Sequence, residues 1–161
     1  MSVGSVLERI RNLRGSGASK QAAPRVDLTG QELHEAVLLL QDYEASGLGW
    51  FWASDREGRI TYISDCVAKL LGQERSAIIG QPLQSMFILE RDEDDPVERT
   101  LPLLLSTRKT FSDLQVRAAI DGKEMWWSIS GRPQSDEAGE FTGYRGNGND
   151  VTATRQSQRD A

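Results

Sequence analysis

The chain has 161 residues, of which 38% are hydrophobic and 27% charged, with a formal net charge of −5. This is an ordinary composition for one domain with short tails, and no apolar run approaches the roughly 18 residues of a membrane span. One cysteine, Cys66, excludes an internal disulfide and a cysteine-rich metal site, and Glu8, Arg9 and Arg11 break up any signal-peptide core, so a cytoplasmic location is expected.

Charge is unevenly spread. Residues 1–26 carry five Lys/Arg against one Asp/Glu, whereas residues 27–161 carry fourteen against twenty-three. The acidic body repels phosphate, so no nucleic-acid partner is expected. Val6, Leu7, Ile10 and Leu13 have helical spacing, with arginines on the other face. So short a helix is marginal in water, although membrane contact by residues 5–14 is conceivable for a basic segment. Residues 15–26 read as a flexible linker.

Thr29 and Glu32 form a capping box for a helix from about Gly30 to Ser46, ended by Gly47. Leu33, Val37, Leu40 and Tyr43 give it a broad apolar stripe that requires cover. A short aromatic strand, Gly49 to Ser54, then turns through Asp55-Arg56-Glu57-Gly58 into a partner strand, Arg59 to Ile63. Ser64-Asp65 is suited to cap a short helix through Leu71. One-turn pieces are expected over residues 74–88. The acidic run Glu90 to Asp95 lacks calcium-loop spacing. Asp95-Pro96-Val97-Glu98 starts a further helix, which should kink or end at Pro102.

Strands Thr110–Ile120 and Lys123–Pro133 flank Asp121-Gly122, the dipeptide of tight type I′ hairpins. A two-residue loop pairs Ile120 with Lys123, Ala118 with Met125, Val116 with Trp127 and Leu114 with Ile129. Leu114, Val116, Ala118, Met125, Trp127, Ile129 and Gly131 then share one apolar face. Trp126 falls on the polar face and needs a cover, from the 30–46 helix or from a second subunit. A last alternating run ends in Asp150-Val151-Thr152, where Asp150 and Thr152 are placed to cap an exiting helix.

The set Gly49-Trp50-x-Trp52, Asp-x-x-Gly at 55–58, Leu-Leu-Gly at 70–72, Ile-Ile-Gly-Gln-Pro-Leu at 78–83, Asp121-Gly122, Gly143-Tyr144-Arg145-Gly146 and Asp150-Val151-Thr152 resembles a PAS domain over about residues 40–155. It looks most like PAS domains attached to bacterial sensor kinases and cyclic-di-GMP enzymes. The resemblance implies an α+β fold: a five-stranded antiparallel sheet in the order 2-1-5-4-3, with helices over one face. In domain terms, residues 1–26 form a basic segment and linker, 27–47 a flanking helix, 48–152 the PAS domain, and 153–161 an output helix or tail. It further implies a ligand site between the inner sheet face and the longer helix. The candidate lining is Trp52, Tyr62, Met86, Leu105, Leu114, Val116, Trp127, Ile129, Phe141 and Arg145. Whether Trp52, Tyr62 and Arg145 point inward is left open.

The expected function is a sensory and dimerisation module that relays a signal through the Asp150–Thr152 junction to an output domain or a docking partner. It is not expected to be an enzyme, because no base and nucleophile group together. A homodimer is expected through Leu33, Val37, Leu40, Tyr43 and Trp126. No cofactor or metal is expected. Flavin-binding relatives place a photoactive cysteine in an Asn-Cys-Arg-Phe-Leu-Gln segment, and Gly80 to Phe87 holds none; Cys66 reads as a packing residue. Residues 96–107 hold no histidine for haem, and His34 lies far upstream. Trp127 is expected to fill ligand space, leaving an empty or small pocket. The alternative is a flavin-binding photosensor or redox sensor. The Gly143, Gly146 and Gly148 cluster opens no helix and is expected to allow close backbone approach.

Overall fold

The structure is a computed structural model that describes residues 26–89 and 100–160. The expected helix at 5–14, linker residues 15–25, the acidic run at 90–95 and the helix start at 95–98 lie outside the described residues.

Helix α1 spans Gly30–Ala45 and opens with the predicted capping box: Glu32 N–H donates to Thr29 Oγ1 and Thr29 N–H to Glu32 Oε1, both at 3.2 Å. Gly47, at φ +78°, turns the chain out of it. Strands β1 (Trp50–Asp55) and β2 (Ile60–Ile63) form the first hairpin. Its turn is held by Asp55, whose Oδ1 accepts from the N–H groups of Glu57 and Arg59 at 2.9 Å. Short helices α2 (Asp65–Leu70) and α3 (Arg75–Ile78) and a 3-10 turn (Leu83–Met86) follow. Ser64 does not cap α2 through its side chain. Its hydroxyl instead accepts from Phe51 N–H at 2.8 Å, tying α2 to β1.

Strand β3 (Phe87–Ile88) leads toward α4 (Leu101–Ser106). Pro102 sits in the first turn of α4, where a missing N–H breaks no intrahelical bond. The described helix starts at Leu101, one residue before this proline, and runs through it. Strands β4 (Phe111–Ala118), β5 (Trp126–Ser135) and β6 (Phe141–Asp150) complete the sheet, and α5 (Thr152–Asp160) leaves it.

The sheet has six strands in the order β2-β1-β6-β5-β4-β3. The five expected strands hold their expected order, and β3 is an addition at the edge. It pairs Phe87 with Ala118 and Ile88 with Arg117. Two residues are too few to show a strand period, so β3 exists only because β4 offers it an edge.

The β4–β5 register is the predicted one: Leu114 lies opposite Ile129 and Val116 opposite Trp127. The tip differs. The strands stop at Ala118 and Trp126, and only Gly122 of the Asp-Gly pair takes a positive φ, +73°. A type I′ turn needs positive φ at both central residues, so this is not one. Ala119 N–H is drawn instead to the Met86 carbonyl at 2.9 Å. A β-bulge between Phe111 and Leu114 sets Asp113 at φ +53°, and Ser130 Oγ accepts its N–H at 3.0 Å.

Candidate functional site: the inner sheet face and the exit helix

The inner face is built on tryptophans lying over glycines. In β1, Trp50 and Trp52 alternate inward and are buried, opposite Gly148 and Gly146 of β6. A methyl group at Gly148 would collide with the Trp50 ring, and one at Gly146 with the Trp52 ring. The glycine cluster thus gives the indoles a floor, as close backbone approach requires. Trp127 is fully buried and meets Trp50 edge-on at 5.1 Å between ring centroids and Phe87 at 6.1 Å. Trp52, Phe111 and Tyr144 form a three-ring cluster, with Trp52 at 6.3 Å from each of the others and Phe111 at 5.9 Å from Tyr144. Rings therefore fill the layer between sheet and helices.

Of the candidate lining residues, Trp52, Met86, Val116, Trp127 and Ile129 lie together in this core, and Leu114 packs at its margin. Tyr62 does not join them. It pairs with Ala53 on the outer face, and its hydroxyl donates to Glu44 of α1 at 2.7 Å. Burial, with help from the Glu44 bond, pushes its pKa to about 12. Arg145 is likewise outward and exposed, opposite Ala53 and Arg132. Leu105 and Phe141 lie at a side cleft of about 280 Å³ between the β1–β2 turn, α4 and the start of β6.

Three inward residues escaped the sequence reading. Trp50 shares the β1 phase of Trp52. Ser54 is buried and accepts from Tyr144 N–H at 3.3 Å. Tyr144 donates its hydroxyl to the Lys109 carbonyl at 2.8 Å, with the Leu104 carbonyl 3.1 Å away, and so fastens β6 to the end of α4. Burial raises its pKa to about 12. The available signal was strand phase: the phase that buries Tyr144 also sets Gly146 and Gly148 against the tryptophans.

Cys66 is half-buried on α2, its thiol pKa pushed up by burial, and His34 is exposed on α1. Among the described residues no group of three His, Cys, Asp or Glu side chains could hold a metal ion, and no helix is long and apolar enough to cross a membrane.

The second locus is the junction after β6. Asp150 Oδ1 accepts Thr152 N–H at 2.8 Å, which secures the first turn of α5. Thr152 reaches further: Trp126 N–H donates to its Oγ1 at 2.9 Å, and Val151 N–H donates to the Trp126 carbonyl at the same distance. Trp126 lies on the outer face, as its register requires, and Arg155 of α5 covers it with the guanidinium carbon 3.6 Å from the ring centroid. Within the chain the cover thus comes from α5 and not from the 30–46 helix. Trp126 Nε1 donates to Glu124 at 2.8 Å, and this bond, more than the nearby Arg159, lowers the Glu124 pKa. Arg159 meets Glu124 at 3.1 Å, and Arg155 donates to Gln115 at 2.6 Å.

The family model described as PAS fold matches residues 43–156, which take in the antiparallel sheet and the short helices beside it. The chain belongs to that family. This PAS domain resembles solved structures at the level of the fold. The PAS domain of a protein from Colwellia psychrerythraea is 17% identical, with a TM-score of 0.57 over 75% of this chain and 98% of that one. The PAS domain of the fruit-fly ELK potassium channel is 18% identical, with a TM-score of 0.56 over 74% and 97%. An RNA-binding Light-Oxygen-Voltage receptor is 19% identical, with a TM-score of 0.58 over 86% of this chain; the chain spans 39% of that receptor's length. No curated protein matches the sequence.

Proposed function

We propose that this PAS domain is a cytoplasmic sensory and dimerisation module that passes a change in its core to an output element through the Asp150–Thr152 junction. The output is a signalling domain, of the histidine-kinase or cyclic-di-GMP class, or a docking partner. One observation carries this reading: Trp126 is gripped by α5 through both backbone and ring, while the adjacent Trp127 is fully buried in the core. A shift of the β5 backbone at this point is felt on both sides of the sheet. Amide hydrogen exchange along α5 tests it. The wild-type helix should be protected, and Thr152→Ala should release it; equal exchange in both would end the reading.

The module works as a homodimer through α1 and the outer sheet face. No α1 residue is buried, and Leu33, Val37 and Tyr43 are 54%, 49% and 40% exposed. A helix with that much apolar surface calls for cover, and a two-fold interface of standard size supplies it. Val37→Glu with Leu40→Glu should give monomers. A folded wild-type monomer at high micromolar concentration, by light scattering, would sink the dimer.

The domain carries neither flavin nor haem. The aromatic rings occupy the inner face, and the cysteine and histidine stand elsewhere. A second reading rests on the indole N–H groups of Trp50 and Trp127, which are buried and meet no acceptor among the described residues. Orphan donors are costly, and an acceptor-bearing small ligand would satisfy them. A visible absorption band retained through gel filtration would favour this second reading.

A further inference from the structure

On the outer sheet face, Arg132 of β5 and Arg145 of β6 stand directly opposite each other, both exposed. Like charges so placed destabilise a sheet. Neither guanidinium has a hydrogen bond or ion pair among the described residues. On its other side Arg145 lies opposite Ala53 of β1, which offers no charge. The neighbouring cross-strand pair on the same face is Ser130 and Asn147. Alternate residues of a strand point the same way, so these four side chains form a square.

The square borders a hollow of about 70 Å³, which Thr110 and Ser112 close from the β4 side. Its polar lining is rich in donors. The β4 bulge brings Asp113 N–H onto Ser130 Oγ at 3.0 Å, which leaves the Ser130 O–H to donate elsewhere. The Thr110 and Ser112 hydroxyls have no partner among the described residues. No carboxylate lines the hollow; that of Asp113, beside the bulge, accepts instead from the Ser128 hydroxyl at 3.4 Å. Gly131 and Gly146 lie against the Trp52 ring, so the backbone beneath the hollow is held from the inner side. Helix α1 is fastened over β1 and β2, through Tyr43 on Phe51 and Glu44 on Tyr62, and does not line the hollow.

We propose that this hollow is a phosphate-binding site, with the Arg132 and Arg145 guanidiniums on the anion and the Ser130, Ser112 and Thr110 hydroxyls donating to it. An arginine fork matches phosphate through two parallel N–H bonds, and two forks suit a doubly charged group better than a single carboxylate. The anion turns the repulsion between the arginines into shared attraction, so binding stabilises the fold. The ligand is inorganic phosphate or the terminal phosphate of a small phosphorylated compound. A nucleic-acid strand does not suit the site. Salt screens one anion from carboxylates more than about 8 Å away, whereas a strand would cross the acidic body of a chain of net charge −5. The site is complete within one chain and stands apart from the homodimer reading.

The test is calorimetric titration of the full chain with inorganic phosphate at neutral pH, with far-UV circular dichroism as the check on folding. The wild type should bind saturably with a Kd of about 1 mM or tighter, and should melt higher in phosphate than in chloride of equal ionic strength. Arg132→Gln/Arg145→Gln should weaken binding about tenfold or more and abolish that rise in melting temperature. If the double variant does not fold, Arg145→Gln alone takes its place and should weaken binding in the same direction. Arg132→Lys/Arg145→Lys keeps both charges without the forks and should fall between. Titration with adenosine monophosphate separates the two sources: tighter binding than inorganic phosphate assigns the site to a phosphorylated compound, and weaker binding to the free ion. Acetate bound as tightly as phosphate overturns the assignment to phosphate. No saturable binding of either phosphate, or binding that the glutamine variants leave unchanged, overturns the site.

Discussion

The guanidinium of Arg155 lies 3.6 Å from the ring centroid of Trp126, so the exit helix rests on the one tryptophan that the β5 register turns outward. A cation on an aromatic face contributes about 0.5–1 kcal/mol when exposed and about 2 kcal/mol when desolvated. Trp126 is half-buried, and Arg155→Ala should cost about 1 kcal/mol in urea unfolding and speed amide exchange in α5. Arg155→Lys should keep part of the effect. Unchanged exchange in the alanine variant would mean that the stack does not hold the helix.

Thr152 joins α5 to the Trp126 backbone. Thr152→Ala deletes the acceptor of Trp126 N–H and should cost about 1 kcal/mol. Thr152→Ser keeps the hydroxyl and should behave like the wild type. A serine variant as unstable as the alanine variant would place the effect in the lost methyl group.

Trp127 is the largest test of the core. Trp127→Ala should lose about 3–5 kcal/mol as a cavity-forming substitution, whereas the neighbouring Trp126→Ala should lose much less. Chemical denaturation of the two variants compares the two faces of one strand. Equal losses would refute the register.

Gly148 carries the Trp50 ring. Gly148→Ala should cost about 1–3 kcal/mol by overpacking, since a Cβ there meets an indole confined on its far side by Trp127. Gly30→Ala, where nothing lies within contact distance, should be neutral or mildly stabilising. Thermal unfolding of the pair checks the contrast.

The two raised tyrosines set an alkaline limit. Tyr62 and Tyr144 move from about 10 to about 12, each mainly through burial of the neutral phenol. The folded state then holds protons that the unfolded state releases. The resulting stability is complete below about pH 10 and is lost as pH rises toward 12. Tyr144→Phe should flatten that loss, and spectrophotometric titration should show late ionisation of Tyr62 and Tyr144.

Elements with local signals were legible in the chain before any fold was in view. The Thr29–Glu32 box and Gly47 bound α1 because capping needs only neighbours in the chain. Apolar alternation around Asp121-Gly122 set the β4–β5 register and put Trp126 and Trp127 on opposite faces, even though the tip did not form the expected turn. The phases of Tyr62 and Arg145 emerged only with the strands paired. Both β1 and β6 mix residues that tolerate either face, and a bulge between Ala53 and Ser54 shifts the first hairpin. Their senses were settled by pairing: Tyr62 opposite Ala53, and the inward glycines of β6 beneath Trp50 and Trp52. The cover of Trp126 was also beyond the sequence, because Arg155 reaches it only once Thr152 has fastened α5 to β5. Local chemistry is written in neighbouring residues, whereas the side a residue faces depends on what the fold brings against it.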